Sequence, residues 1–340
     1  MAEITDYELI QSFVDSFNEE DKPPINIVMH SSPDPDAVGS ALGMQAILRH
    51  YNFDSTIYYD GEISHPQNKT IVNVLNVVLE KTDKEIEGVN VCVDCTPHNS
   101  MAKDAKLIVD HHKSTNFKNV KYKIIHPAYG ACSTIVWELI RNLKIELPES
   151  DMSIATALLL GIRTDTSDLI SENITDEDFI AYRELLELSD KEAIQKVMNY
   201  PFPKYLYDKR LVLHKDGNSY ESNGIFVGGV GYISATQRDS IAILSEEYAR
   251  MESVQTAVIF AIVDRKYLEV SVRSSNVSLD VNQEMKSLFG EYGGGSSYKG
   301  GARVPLNFYS GIGDKSGEFW KTTCEHMFEK VLKEEIGEKK

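Results

Sequence analysis

Several short apolar runs in this sequence end in residues that can bind hard cations. INIVMH (25–30) closes on His30, and Ser31-Ser32-Pro33-Asp34-Pro35-Asp36 follows. VNVCVD (89–94) closes on Asp94. KLIVD (106–110) closes on Asp110, with His111 and His112 next. Hard divalent cations take oxygen ligands with an occasional imidazole. Pro33 and Pro35 keep their loop extended, so Asp34 and Asp36 can reach different points around one centre. A plainer role for Asp36 is the N-cap of a helix starting at Ala37. A fourth element, Gly161-Ile162-Arg163-Thr164-Asp165-Thr166, closes an apolar helical pattern. Taken singly, Asp165 and Asp168 read as surface charges. Together the elements offer four carboxylates (Asp34, Asp36, Asp94, Asp165) and two imidazoles (His30, His111). That inventory suits two hard cations sharing a bridging carboxylate. It does not suit structural zinc, which prefers four N/S ligands. Two cations ~4 Å apart can activate water and stabilise a departing oxygen. Cys92-x-x-Cys95 has no second cysteine pair and reads as strand packing.

The elements that must position these residues follow from periodicity. Strands are predicted at 25–30, 55–60, 89–94 and 106–110, and helices from 37 to about 51, 66–79, 132–143, 151–163 and 175–188. Strands alternating with helices indicate a parallel sheet of βαβ units, whose ligand crevice lies beyond the carboxyl ends of the strands. The pattern changes near 190–215, where NYPFPKYLYD reads as a linker. Beyond it, strand-like runs at 224–234, 256–264 and 267–274, helices near 238–251 and 280–289, a glycine-rich segment EYGGGSSYKGGARV and an amphipathic helix near 318–334 read as a smaller mixed α+β domain. The expected division is a catalytic domain at 1–190, a linker at 191–215 and a substrate-binding domain at 216–340. Gly228-Gly229-x-Gly231 lacks the context of a dinucleotide fingerprint and reads as close strand packing.

The chain has 340 residues, four cysteines and a formal net charge of −17. No apolar run approaches the ~18 residues of a membrane span. The first residues lack the pattern of a secretion signal, and the cysteines make no disulfide framework, so the cytoplasm is the expected compartment. The acidic balance argues against gripping long duplex. It suits a small anion held where bound cations supply the positive charge.

The four elements, in this order, resemble the DHH phosphoesterase superfamily, which includes RecJ exonucleases, family II pyrophosphatases, nanoRNases and pAp phosphatases. The resemblance runs from 25 to about 170: HSSPDPDAVGS is similar to the first motif, Asp94 to the second, Asp110-His111-His112 to the third and GIRTDT to the fourth. It implies an α/β fold with a parallel-sheet catalytic domain, followed by a smaller mixed α+β substrate-binding domain. It implies two divalent cations, Mn²⁺ ahead of Mg²⁺, on His30, Asp34, Asp36, Asp94, His111 and Asp165, with Asp94 bridging. Asp110 would orient a histidine, and His112 would contact phosphate or assist proton transfer. The second half resembles the DHH-associated domain of the nanoRNase and RecJ branches. There Arg273 of VSVRSS would face the substrate, and GGGSSYKGGAR would form a substrate loop (Gly294, Gly295, Ser296, Ser297) presenting backbone N–H groups, with Lys299 and Arg303 adding charge. The sequence departs from the family in that loop. Ser297 stands where a histidine is usual, and Gly300-Gly301 replaces an alanine pair.

The implied activity is metal-dependent hydrolysis of short oligoribonucleotides or small nucleotides such as pAp. Cyclic or linear dinucleotide hydrolysis and RecJ-like exonuclease action are alternatives, as is inorganic pyrophosphatase, although those relatives have a different second domain. A nucleotide-binding scaffold without catalysis is the non-enzyme alternative; the complete ligand set argues against it. No long duplex and no membrane partner is expected, and a homodimer is compatible.

Overall fold

The computed structural model describes residues 4–18, 22–95, 105–112, 120–171, 173–311 and 317–333. The chain divides into two compact units, Met1–Tyr200 and Pro201–Lys340. The division falls inside the stretch 191–215 expected to be a linker.

The first unit holds a six-stranded sheet of β1 (Ile25–Val28), β2 (Ser55–Tyr59), β3 (Glu80–Lys81), β4 (Val89–Val93), β5 (Leu107–Asp110) and β6 (Tyr122–Ile125). The order is β3-β2-β1-β4-β5-β6, and every pairing is parallel. All residues of β1 and β5 are buried; Ile27, Val91 and Val109 on one face pack in the core shared by the first unit's helices, and Val28, Cys92 and Ile108 on the other form a smaller cluster. These helices are α1 (Asp6–Val14), α2 (Pro35–His50), α3 (Pro66–Val74), α4 (Cys132–Asn142), α5 (Ser153–Asp165), α6 (Asp176–Leu188) and α7 (Lys191–Met198). From β1 the chain proceeds outward to β2 and β3, then returns to place β4 on the other side of β1. The point of reversal, between β1 and β4, is where an open α/β sheet opens a crevice.

Asp34, not Asp36, caps α2. Its Oδ1 accepts from the backbone N–H of Asp36 and Ala37, both at 3.0 Å. Pro35 then occupies the first turn, where its missing N–H costs nothing. This frees the Asp36 carboxylate to turn inward. α2 approaches α5 closely because glycines line the contact. A Cβ at Gly39 would lie 2.6 Å from the carbonyl oxygen of Ala157, and one at Gly161 would lie 2.3 Å from Ser133 Oγ and 2.9 Å from Asp36 Cα.

The second unit contains α8 (Lys204–Leu213), α9 (Ser240–Tyr248), α10 (Val281–Phe289) and α11 (Glu318–Lys333) around a second six-stranded sheet. Its strands are β7 (Ser219–Ser222), β8 (Ile225–Ile233), β9 (Thr256–Val263), β10 (Tyr267–Ser274), β11 (Gly293–Gly295) and β12 (Lys299–Pro305), in the order β11-β12-β10-β9-β8-β7. β8 and β9 run parallel and the remaining pairs are antiparallel. Strand alternation sends Val258, Phe260, Val270 and Val272 into one core with Met285 and Met327. Ala257, Ile259, Ala261 and Val263 form the other with Leu206 and Leu244.

The glycine-rich segment, read from sequence as a loop, is a β-hairpin at the sheet edge, with Gly294 opposite Gly301. Its glycines permit close packing: a Cβ at Gly293 would lie 2.0 Å from the carbonyl oxygen of Met285, and one at Gly300 would lie 2.8 Å from Val281 Cγ1. Among the described residues no helix is long and apolar enough to cross a membrane.

Candidate metal centre

The strand ends gather the polar residues at the point of chain reversal. His30 follows β1, Asp94 follows β4, and Asp110 ends β5 with His111 and His112 next. Asp34 and Asp36 come from the start of α2, and Asp165 is the last residue of α5. All eight lie in one cluster, arranged as two groups. His30 Nε2 is 3.7 Å from Asp34 Oδ1 and 3.5 Å from Asp94 Oδ2. His111 Nε2 is 3.8 Å from Asp36 Oδ2, 3.3 Å from Asp165 Oδ2 and 3.6 Å from Asp94 Oδ1. Asp94 therefore directs one oxygen at each group. Ligand atoms at right angles about 2.1 Å from one small cation lie about 3 Å apart, so these separations are those of donors that a shared cation draws slightly closer.

Burial makes the case for a charge balance the protein does not itself supply. Asp94 is 2% exposed and Asp36 0%. Among the described residues, Asp94 Oδ1, Asp110 Oδ2 and His111 Nε2 are buried without a hydrogen-bond partner, an arrangement that costs free energy unless something else satisfies them. Burial, then the nearby charge of Asp165, raises the Asp36 pKa to about 7. Burial, then Asp36 and Asp34, push Asp94 well above the usual carboxylate range. Burial opposes the charged form of His30, yet Asp34 outweighs it and lifts the imidazole to about 9. His111 also rises to about 9, with Asp165 and Asp36 overcoming burial. Crowded carboxylates that retain protons, beside imidazoles that gain them, fit donors from which divalent cations would displace protons. Three groupings of donors lie within cation-sharing distance: His30 with Asp34 and Asp94, Asp36 with His111 and Asp165, and Asp94 with His111 and His112.

Backbone and neighbouring groups fix the donors. Asp36 accepts from the N–H of Cys132 (2.7 Å) and of Ser133 (2.8 Å), so it ties α2 to the start of α4. His111 Nδ1 lies 3.2 Å from the carbonyl oxygen of Tyr129, which turns Nε2 toward the cluster. Sequence reasoning missed Tyr129, whose backbone, not its side chain, does this. Asp110 Oδ1 is 2.8 Å from His112 Nδ1 and accepts the His112 N–H at 3.2 Å, so Asp110 orients His112. Asp94 adopts a left-handed φ of +48°, uncommon for a residue with a Cβ, just where the strand must end to turn its carboxylate inward. Asp168, the alternative to Asp165, pairs with Arg163 Nε at 2.5 Å and stands outside the cluster.

The residues expected to contact substrate lie in the second unit. Arg273 is on β10, opposite Lys299 of β12. It donates to the carbonyl of Val272 (3.0 Å) and to Ser271 Oγ (3.3 Å), and burial lowers its pKa. Gly294 and Gly295 are in β11, and Ser296 and Ser297 are in the turn. Two N–H groups of this segment are engaged within the unit. The Gly295 N–H donates to Asn282 Oδ1 (3.2 Å) and the Ser296 N–H to the carbonyl of Lys299 (2.7 Å). The carbonyls of Ser296 and Ser297 accept from the first N–H groups of α10. The turn thus caps the start of α10. Arg303 is not in the turn but on β12, where it pairs with Glu269 at 3.1 Å.

A six-stranded parallel sheet carrying a carboxylate–imidazole cluster at its reversal point defines an α/β domain built around a metal centre. Residues 24–162 match the model of the DHH family, N-terminal domain. The chain is 29% identical over 328 residues to an uncharacterised protein of Methanocaldococcus jannaschii, covering 94% of this chain and 65% of that one. It is 26% identical over 207 residues to a probable manganese-dependent inorganic pyrophosphatase of Lactobacillus gasseri, covering 57% of this chain and 65% of the relative. It thus matches 65% of the length of each of these curated relatives. An exopolyphosphatase-related protein from Bacteroides fragilis shares the fold, with a TM-score of 0.61 at 18% identity over 96% of this chain and 98% of that one.

Proposed function

We propose that this protein is a divalent-cation-dependent phosphoesterase that hydrolyses short oligoribonucleotides or small nucleotides such as pAp. The observation that carries this is Asp94, which turns one oxygen to His30 at 3.5 Å and the other toward His111 at 3.6 Å. A carboxylate so placed would serve two cations, with His30 and Asp34 holding one and Asp36, His111 and Asp165 the other. Such a pair would supply an activated water and offset charge on the phosphoryl oxygens. The relative of Lactobacillus gasseri, named manganese-dependent, supports Mn²⁺ ahead of Mg²⁺.

The chain's own residues do the rest. His112, 43% exposed at its side chain, keeps Nδ1 on Asp110 and leaves Nε2 for the substrate. From Nε2 it donates a hydrogen bond to a phosphoryl oxygen or a proton to the departing oxygen. Arg273 presents a guanidinium with no carboxylate paired to it among the described residues, suited to a phosphate.

Inorganic pyrophosphatase is the second reading, favoured by the name of that same relative. One panel separates the two: pAp, a dinucleotide, longer oligomers, a cyclic dinucleotide and pyrophosphate, each with Mn²⁺ and with Mg²⁺. The nucleotide reading expects hydrolysis of pAp or the dinucleotide, abolished by a chelator. Hydrolysis of pyrophosphate alone overturns it in favour of the second.

A further inference from the structure

The second sheet carries a charged flank that the proposed chemistry does not use. Along β10 the side chains alternate, so Tyr267, Glu269, Ser271 and Arg273 share one face, opposite Pro305, Arg303, Gly301 and Lys299 of β12. Glu269 is 5% exposed. Two arginines converge on it: Arg238, from the turn before α9, donates through Nε to Oε2, and Arg303 Nε lies 3.1 Å from Oε1. Both guanidiniums reach solvent, with side chains 44% and 53% exposed. Among the described residues, the terminal nitrogens of both have no partner. Arg303 also lies flat against an aromatic ring, its Cζ 4.1 Å from the Tyr267 centroid.

Neutralising one buried carboxylate requires one cation, and here there are two, with Arg273 and Lys299 further along the same face. That is a local excess of positive charge on a chain whose net charge is −17. The geometry of each arginine is also specific. Arg238 commits Nε inward, so its terminal nitrogens form an outward fork of the kind that holds phosphate; Arg303 Nε lies beside Oε1, to which it makes no hydrogen bond. Arg303 has one face on Tyr267 and the other open, and a base stacks on such a guanidinium plane.

We propose that Arg238, Arg303 and Tyr267, held by the buried Glu269, form a subsite for one nucleotide unit of a single-stranded oligonucleotide, the arginines taking the phosphate and the Arg303–Tyr267 stack taking the base. Recognition is by stacking, so it is tolerant of base identity. The choice of ligand rests on the nucleotide reading of the metal centre; the site itself stands within the second unit.

The test is direct binding to the full chain in excess chelator, so that no turnover occurs. The probes are a fluorescein-labelled trinucleotide and a labelled chain of the same phosphates with the bases removed. Wild type should bind the trinucleotide about tenfold more tightly than the abasic chain, the scale of one stacked base. Arg303→Lys retains the ion pair with Glu269, and with it the fold, but has no plane to stack. It should bind both probes alike, each more weakly than wild type, because an ammonium holds phosphate less well than a guanidinium. Arg238→Met should weaken both probes together. Equal binding of the two probes by wild type, or an unchanged base preference in Arg303→Lys of wild-type thermal stability, overturns the proposal. Base-dependent binding by a protein that hydrolyses no nucleotide with Mn²⁺ sinks the catalytic reading and leaves this site standing. Hydrolysis of the trinucleotide with binding indifferent to Arg303 does the reverse.

Discussion

At the scale of single residues, the account turns on a few carboxylates whose neighbours are wrong for ordinary structure. Asp94 is the sharpest case. Replacing it with Ala removes the group that faces both sides of the cluster, so neither side keeps its full donor set and the repulsion between two cations is no longer offset. Mn²⁺ should raise the Tm of wild type by linkage and raise that of Asp94→Ala much less; equal shifts would contradict the bridging role. Arg273→Lys tests the second unit. An ammonium cannot hold phosphate in the bidentate way of a guanidinium, so kcat/KM on a nucleotide should fall by the equivalent of about 1–3 kcal/mol while Mn²⁺ binding persists. An unchanged kcat/KM would remove Arg273 from substrate recognition.

At the scale of elements, the cluster depends on how closely α2, α4 and α5 approach one another. Gly161 lies where α5 passes both Ser133 and Asp36, and a Cβ there would lie 2.9 Å from Asp36 Oδ1. Gly161→Ala should cost about 1–3 kcal/mol through overpacking and weaken Mn²⁺ binding by displacing Asp36. Wild-type stability in a denaturant titration would show that the contact can relax. A second tie joins α1 to the far edge of the sheet, where His126 Nε2 lies 2.6 Å from Asp6 Oδ2. That hydrogen bond, partly opposed by burial, raises the His126 pKa. A raised folded pKa gives stabilisation that is full below the unfolded value of about 6.5 and is lost as pH rises through the folded one. The Tm advantage of wild type over His126→Asn should therefore be larger at about pH 6 than at about pH 9, and an advantage independent of pH would exclude this linkage.

The same elements explain what was legible in the sequence. β1, β4 and β5 are buried on both faces, so each appears as an apolar run with its functional residue at the end. Asp36 was legible as a cation donor, but its tie to α4 was not, because its partners, the N–H groups of Cys132 and Ser133, are backbone atoms nearly a hundred positions away. Tyr129 was invisible for the same reason: a carbonyl has no sequence signature. The glycine-rich hairpin read as a loop because glycine is depleted in strands; here close packing against α10 requires it. The short helices α7 and α8 lie in a stretch where Pro201 and Pro203 suggested only a linker.

At the scale of the whole molecule, the net charge of −17 sets a field that opposes long polyanions. Beyond the contacts of the cluster and of the second sheet, each added phosphate meets repulsion. At equal salt, kcat/KM on a dinucleotide should exceed that on an oligomer of about 20 nucleotides of the same base. If the longer oligomer is cleaved as well or better, a RecJ-like nuclease becomes the better description.

All of this presupposes that the buried carboxylates and imidazoles exist to hold cations. The direct measurement is equilibrium Mn²⁺ binding by the chelator-stripped full chain, with bound metal quantified after dialysis. The account predicts about two Mn²⁺ per chain in wild type and a marked loss in Asp94→Ala. Wild type that retains no Mn²⁺ above background, or Asp94→Ala that binds as much as wild type, would contradict it.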